Sequence, residues 1–120
     1  MTKIYLIRHA EAEGNLYRRI QGHWDGSITA LGLQQIDALA QRFRHEHIDA
    51  LYCSNLSRAR VTAEAITRYH DVPAVATPRL AEICMGVWEG RAWGDVEHEF
   101  PEQMRYFNTD PEKWSVPGGE

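Results

Sequence analysis

The chain has 120 residues, enough for one domain (1–120) and too few for two ordinary ones, and its 43% hydrophobic and 25% charged residues are normal for a globular protein. A net charge of −4 and a pI of about 5.8 exclude a general nucleic-acid binder, which needs a basic face. No stretch approaches the ~20 apolar residues of a membrane span, the apolar run MTKIYLI is too short for a secretory signal, and Cys53 and Cys84 have neither metal-ligand nor disulfide spacing, so a reduced cytoplasmic protein is expected.

KIYLI (3–7) is rich in large apolar residues without a helical stripe and predicts a buried strand of a parallel sheet. Polar and glycine-containing turns over 8–29 predict a long functional loop with room for a short helix. Thr29 can cap a following helix, in which Leu33, Ile36, Leu39, Ala40 and Phe43 repeat at helical spacing and which should end near Glu46. IDALYCS (48–54) predicts a second strand. Ser54 or Asn55 can cap the next helix, whose face carries Ala59, Thr62, Ala63, Ile66 and Tyr69. VPAVAT (72–77) predicts a third strand, 80–93 an ordered loop, and 94–107 a helix. The tail 109–120, with two prolines and two glycines, predicts a loop, and Glu120 looks like the first turn of a further helix. Alternating strands and helices imply an α/β fold, with ligands bound beyond the carboxyl ends of the strands.

Arg8 and His9 fall at such an end. Arginine offers a planar, permanently charged fork that matches phosphate oxygens, and a neighbouring histidine can attack phosphorus through a ring nitrogen. Alone, an Arg-His pair reads as a strand end whose histidine bonds a carbonyl. Arg58, in SNLSRARVTAE (54–64), lies in the first turn of the helix after the second strand and can reach the same end of the sheet. Glu82, in LAEICMGVWEG (80–90), sits between apolar residues. Such a carboxyl can protonate a leaving oxygen if its pKa is lifted toward neutrality. Trp24, Trp88, Trp93 and Met85 lie near these loops and suit either pocket walls or core.

Together LIRHAEAEGN (6–15), RIQG (19–22), the T-x-x-G of Thr29–Gly32, SNLSRARVTAE and LAEICMGVWEG, in this order and spacing, resemble the histidine phosphatase superfamily, also called phosphoglycerate mutase-like. The resemblance covers essentially the whole chain. It implies a three-layer α/β sandwich with a mainly parallel central sheet flanked by helices. It implies His9 as the nucleophile that becomes phosphohistidine, Arg8 and Arg58 as clamps on the phosphoryl oxygens, and Glu82 as proton donor and then base. Asn15, Gln21 and Gly22 match positions that line the phosphate pocket, and Arg19 is a further substrate contact. It implies no metal and no organic cofactor. The expected partner is a small phosphorylated metabolite, with no nucleic acid and no membrane.

Two features depart from the family pattern. Ala10 stands where glycine is commonest. The family also carries a second pocket histidine well after a Gly-Gly-Glu-Ser-like helix start, whereas this sequence reaches only Gly118-Gly119-Glu120, so a chain truncated at its C-terminus is expected. Mutase relatives tend toward FTGW-like and YGxLxG-like segments; RIQGHW and MGVWEG look like the phosphatase branch. The leading expectation is a phosphomonoester hydrolase. The alternatives are mutase-type phosphoryl transfer and a non-catalytic phosphate-binding fragment.

Overall fold

The computed structural model describes residues 1–120. The first helix, α1 (Glu13–Leu16), is a single turn whose entry is fixed by Asn15, with Oδ1 accepting the Ala12 N–H at 3.0 Å. Helix α2 (Ala30–Phe43) starts at Thr29, whose Oγ1 accepts the Gly32 N–H at 3.0 Å, as the sequence predicts. It buries Ile36, Ala40 and Phe43 and leaves Leu33 exposed. Strand β1 (Leu51–Ser54) leads through α3 (Ser57–Thr67) to β2 (Ala74–Thr77). The two strands are parallel, with Leu51 opposite Ala74 and Ser54 opposite Thr77. Helix α3 packs on both strands and on α2. Ile36, Ala40, Ala65 and Ala10 form a small core between the two helices and the start of the first loop. Tyr52 and Val75 are exposed.

Residues 3–7 depart from their expected strand. They form no regular element, and no backbone–backbone hydrogen bond joins them to β1 or β2. Ile4 and Leu6 are almost fully exposed. A ladder needs a neighbour within about 5 Å, and residues 5–9 and Leu51–Ser54 instead both line a channel of about 440 Å³. Side chains anchor the segment instead. The Tyr5 hydroxyl donates to Glu46 Oε2 at 2.6 Å, and its ring meets Phe43 edge-on at 5.0 Å. Hydrogen bonds from Arg42 and Tyr5 pull the Glu46 carboxyl down to about 2.

The second half builds a separate core. Trp88, Val96, Met104, Trp114, Val116, Met85 and Ile20 cluster, with Trp93, Phe100, Tyr106 and Phe107 packed around them. Trp88, fully buried, meets Trp114 and Phe107 in edge-to-face contacts at 5.6 and 6.0 Å. The expected single helix over 94–107 is two, α4 (Trp93–Glu99) and α5 (Pro101–Thr109). Proline disfavours helical backbone at Phe100 and has no N–H to continue the ladder, but it suits the first turn of α5. The tail is a loop, as expected, and Glu120 is held by polar contacts. Its N–H donates to the Cys84 carbonyl at 3.0 Å and its Oε2 accepts the Cys84 N–H at 2.6 Å, so it lies against the loop that carries Glu82. No helix is long and apolar enough to cross a membrane.

Candidate active site

A cleft of about 640 Å³ runs between the two cores, and all seven residues singled out in the sequence line it: Arg8, His9, Asn15, Gln21, Gly22, Arg58 and Glu82. Arg18, Arg19, Trp93 and Phe107 line it too. Trp88 is core, whereas Met85 serves both core and cleft.

His9 follows the irregular segment 3–7 and is half-buried. Its Nδ1 lies 2.7 Å from the Ala10 carbonyl oxygen. A carbonyl can only accept, so Nδ1 carries the proton and the lone pair of the neutral ring is on Nε2. Burial lowers the His9 pKa, and the nearby Arg58 and Arg8 charges lower it further, outweighing the Ala10 carbonyl and Glu82, which raise it. These surroundings favour the neutral ring over the imidazolium.

Arg58, in the first turn of α3, is only 3% exposed. Its Nη2 donates to the Gly22 carbonyl at 2.8 Å, and its Nη1 donates to the Trp24 carbonyl at 3.2 Å and to Asp25 Oδ1 at 3.4 Å. One Nη2 N–H and the Nε N–H remain without a protein partner, and Arg58 is among the residues that line the cleft. Gly22 leaves no room for a side chain. Its φ is +52°, and a Cβ there would lie 2.5 Å from Glu89 Oε1 and 2.9 Å from Met85 Cγ. Arg8 is exposed and enters no ion pair.

Glu82 lies on the facing loop with its carboxylate exposed, Oε1 accepting the Ile83 N–H at 3.0 Å. Asn15 spends its amide oxygen on Ala12, leaving its N–H groups for the cleft. Gln21 packs so tightly on Gly14 that a Cβ there would lie 2.1 Å from Gln21 Cγ. Its buried Oε1 has no partner. Arg19 is tied back, with Nη1 donating to the Gly90 carbonyl at 2.7 Å.

Four supporting residues escaped the sequence reading of the site. Asp25 Oδ2 accepts the Ser57 N–H at 2.5 Å, and its Oδ1 faces the Arg58 N–H and guanidinium. The α3 amino end is thus capped by a distant loop, while Ser54 Oγ serves only the Leu56 N–H at 3.1 Å. Thr62, on the buried face of α3, accepts the Ala10 N–H at 2.9 Å and donates to the Arg58 carbonyl at 2.7 Å. A threonine on an otherwise apolar helix face was the available signal. His23 Nε2 donates to the Glu82 carbonyl at 2.8 Å. Glu89 Oε1 accepts the His23 and Met85 N–H groups at 2.8 and 2.9 Å. Burial pushes the Glu89 carboxyl up, but these hydrogen bonds outweigh it and hold it below its ordinary value.

The profile of the histidine phosphatase superfamily (branch 1) matches residues 4–120. Phosphoserine phosphatase 1 of Hydrogenobacter thermophilus is 36% identical over 120 residues, all of this chain and 57% of that protein. The probable phosphoglycerate mutase GpmB of Yersinia pestis is 35% identical over all of this chain and 56% of its own length. The solved structure of Bacillus stearothermophilus YhfR superposes with a TM-score of 0.86 at 32% identity, over 94% of this chain and 56% of that one. The chain thus spans somewhat more than half the length of the relatives it matches.

Two measurements check this geometry. An NMR titration of the His9 imidazole is expected to give a midpoint below the ordinary 6.5; a midpoint above it contradicts the buried, cation-flanked setting. By linkage the unfolded chain takes this proton first, so the His9 contribution to stability falls as pH drops through 6.5. Thr62→Val, nearly isosteric, strands the buried Ala10 N–H and is expected to cost about 1–3 kcal/mol in urea unfolding. An unchanged midpoint would show that the hydroxyl does not tie residue 10 to α3.

Proposed function

We propose that this chain, which belongs to the histidine phosphatase superfamily, forms part of a phosphomonoester hydrolase that works through a phosphohistidine on His9. The observation that carries the reading is the His9 Nδ1 contact with the Ala10 carbonyl, which leaves Nε2 as the free nucleophile in a cleft lined by Arg8 and Arg58. In the first step the Nε2 lone pair attacks phosphorus and the ester P–O bond breaks. The leaving oxygen takes a proton from the Glu82 carboxyl. Arg8 and the buried Arg58 neutralise the non-bridging oxygens, where preorganised donors are each worth about 10²–10³ in rate. In the second step Glu82, now a carboxylate, takes a proton from water as the oxygen attacks phosphorus. The P–N bond breaks, releasing phosphate and neutral His9. Asn15 and Gln21 supply further amide donors along the same wall, and the Gly22 carbonyl holds Arg58.

The substrate is a small phosphorylated metabolite. Two relatives are named for phosphoserine and phosphoglycerate chemistry. The second of these is a probable mutase, so transfer to a second oxygen of the same molecule is the rival outcome. The two unpaired cysteines suit a reducing cytoplasm.

Denaturing quench during turnover of radiolabelled phosphoserine by the native polypeptide tests the reading. Label is expected to stay on protein after alkaline quench, to be lost after acid quench because a phosphoramidate is acid-labile, and to be absent in His9→Asn. An acid-stable adduct, or label on the variant, overturns the assignment. Release of free phosphate supports hydrolase over mutase, whereas a positional isomer without phosphate reverses that choice.

A further inference from the structure

The cleft carries more positive charge than one phosphoryl group uses. Four arginines line it, Arg8, Arg18, Arg19 and Arg58, against one carboxylate, Glu82, in a chain whose net charge is −4. Arg58 spends three hydrogen bonds on the loop at Gly22–Asp25, and its remaining donors serve the phosphoryl group on the reading above. Arg19 is tied to Gly90. Arg8 flanks the nucleophile in sequence. Arg18 is left over, exposed and in no ion pair.

Its backbone is unusual in the same direction. Arg18 is the sole non-glycine residue with positive φ, +52°, and the other four positive-φ positions are all glycine. The reason is local. The α1 exit bonds the Arg19 N–H to the Gly14 carbonyl at 2.8 Å and the Arg18 N–H to the Asn15 carbonyl at 3.4 Å. That pattern places residue 18 in the left-handed position where glycine avoids the Cβ clash. An arginine here gives up backbone comfort and gains a cation at the cleft. Ile83, Trp93 and Phe107 supply apolar walls to the same cleft.

We propose that Arg18 binds a second anionic group, a carboxylate, on the organic part of a small phosphomonoester whose phosphoryl group sits at His9. The apolar walls would flank the carbon skeleton between the two anions. This rests on the phosphomonoester reading above and adds the substrate's second charge and the residue that selects for it.

Binding of non-hydrolysable ligands separates the two claims. Dissociation constants are measured for 3-phosphonopropionate and propylphosphonate with the native polypeptide and with Arg18→Gly. Glycine suits the backbone, so the variant should fold, with a thermal midpoint at or above the parent's. The parent is expected to bind the carboxylated ligand about tenfold or more tightly, as a charge-assisted contact warrants. Arg18→Gly is expected to erase that preference while weakening propylphosphonate by no more than about threefold. Equal affinities in the parent, a preference kept in the variant, or an equal loss for both ligands each overturn the proposal. Selective binding without a phosphohistidine in the quench experiment would instead refute the catalytic reading and leave the Arg18 assignment standing. Failure of both ligands to bind overturns both.

Discussion

The site hangs on one buried cation. Arg58 is nearly sealed from solvent, and a guanidinium in that setting is tolerable only if its donors are met. The loop at 22–25 meets them with two carbonyls and a carboxylate, so the loop cannot leave α3 without stranding the charge. Asp25 adds to the bond by capping the first turn of α3. Gly22 itself, at φ +52°, leaves no room for a side chain against Glu89 and Met85. One turn along, Thr62 ties the Arg58 carbonyl to the Ala10 N–H, so the same helix that holds Arg58 also holds the backbone beside His9.

Two cores then face each other across the cleft. The small α2–α3 core seats His9 and Arg58, whereas the aromatic cluster around Trp88 seats the loop that carries Glu82. Their registry depends on a few polar ties. His23 and Glu89 supply several of these, binding the residues after Gly22 to both ends of the Glu82 loop. On the proposed reading this division, with the proton donor on one wall and the nucleophile on the other, is workable, because the leaving oxygen must lie opposite the attacking nitrogen.

Much of this was legible in the sequence. The Thr29 cap, both helices around β1 and the parallel β1–α3–β2 unit followed from capping and periodicity. The seven candidate residues do share one cleft, as their motifs implied. The misses have specific causes. KIYLI has strand composition, but strand pairing is decided by a neighbour that composition does not specify. Pro101 split a helix whose apolar spacing ran on through it. Asp25 and Thr62 act across 32 and 52 residues of sequence, a reach that local pattern cannot carry. The strain at Arg18 is equally invisible, since a lone arginine in a polar loop reads as solvated surface.

The central claim is that Nε2 of His9 faces phosphorus while Arg8 and Arg58 hold the oxygens around it. A crystal structure of the native polypeptide grown with orthovanadate tests this most directly. The expected result is vanadium bonded to His9 Nε2, with equatorial oxygens within hydrogen-bond distance of Arg8 and Arg58 and an apical oxygen toward Glu82. Vanadate bound through Nδ1, or seated away from His9 with Arg58 still turned wholly to its loop, would contradict the account.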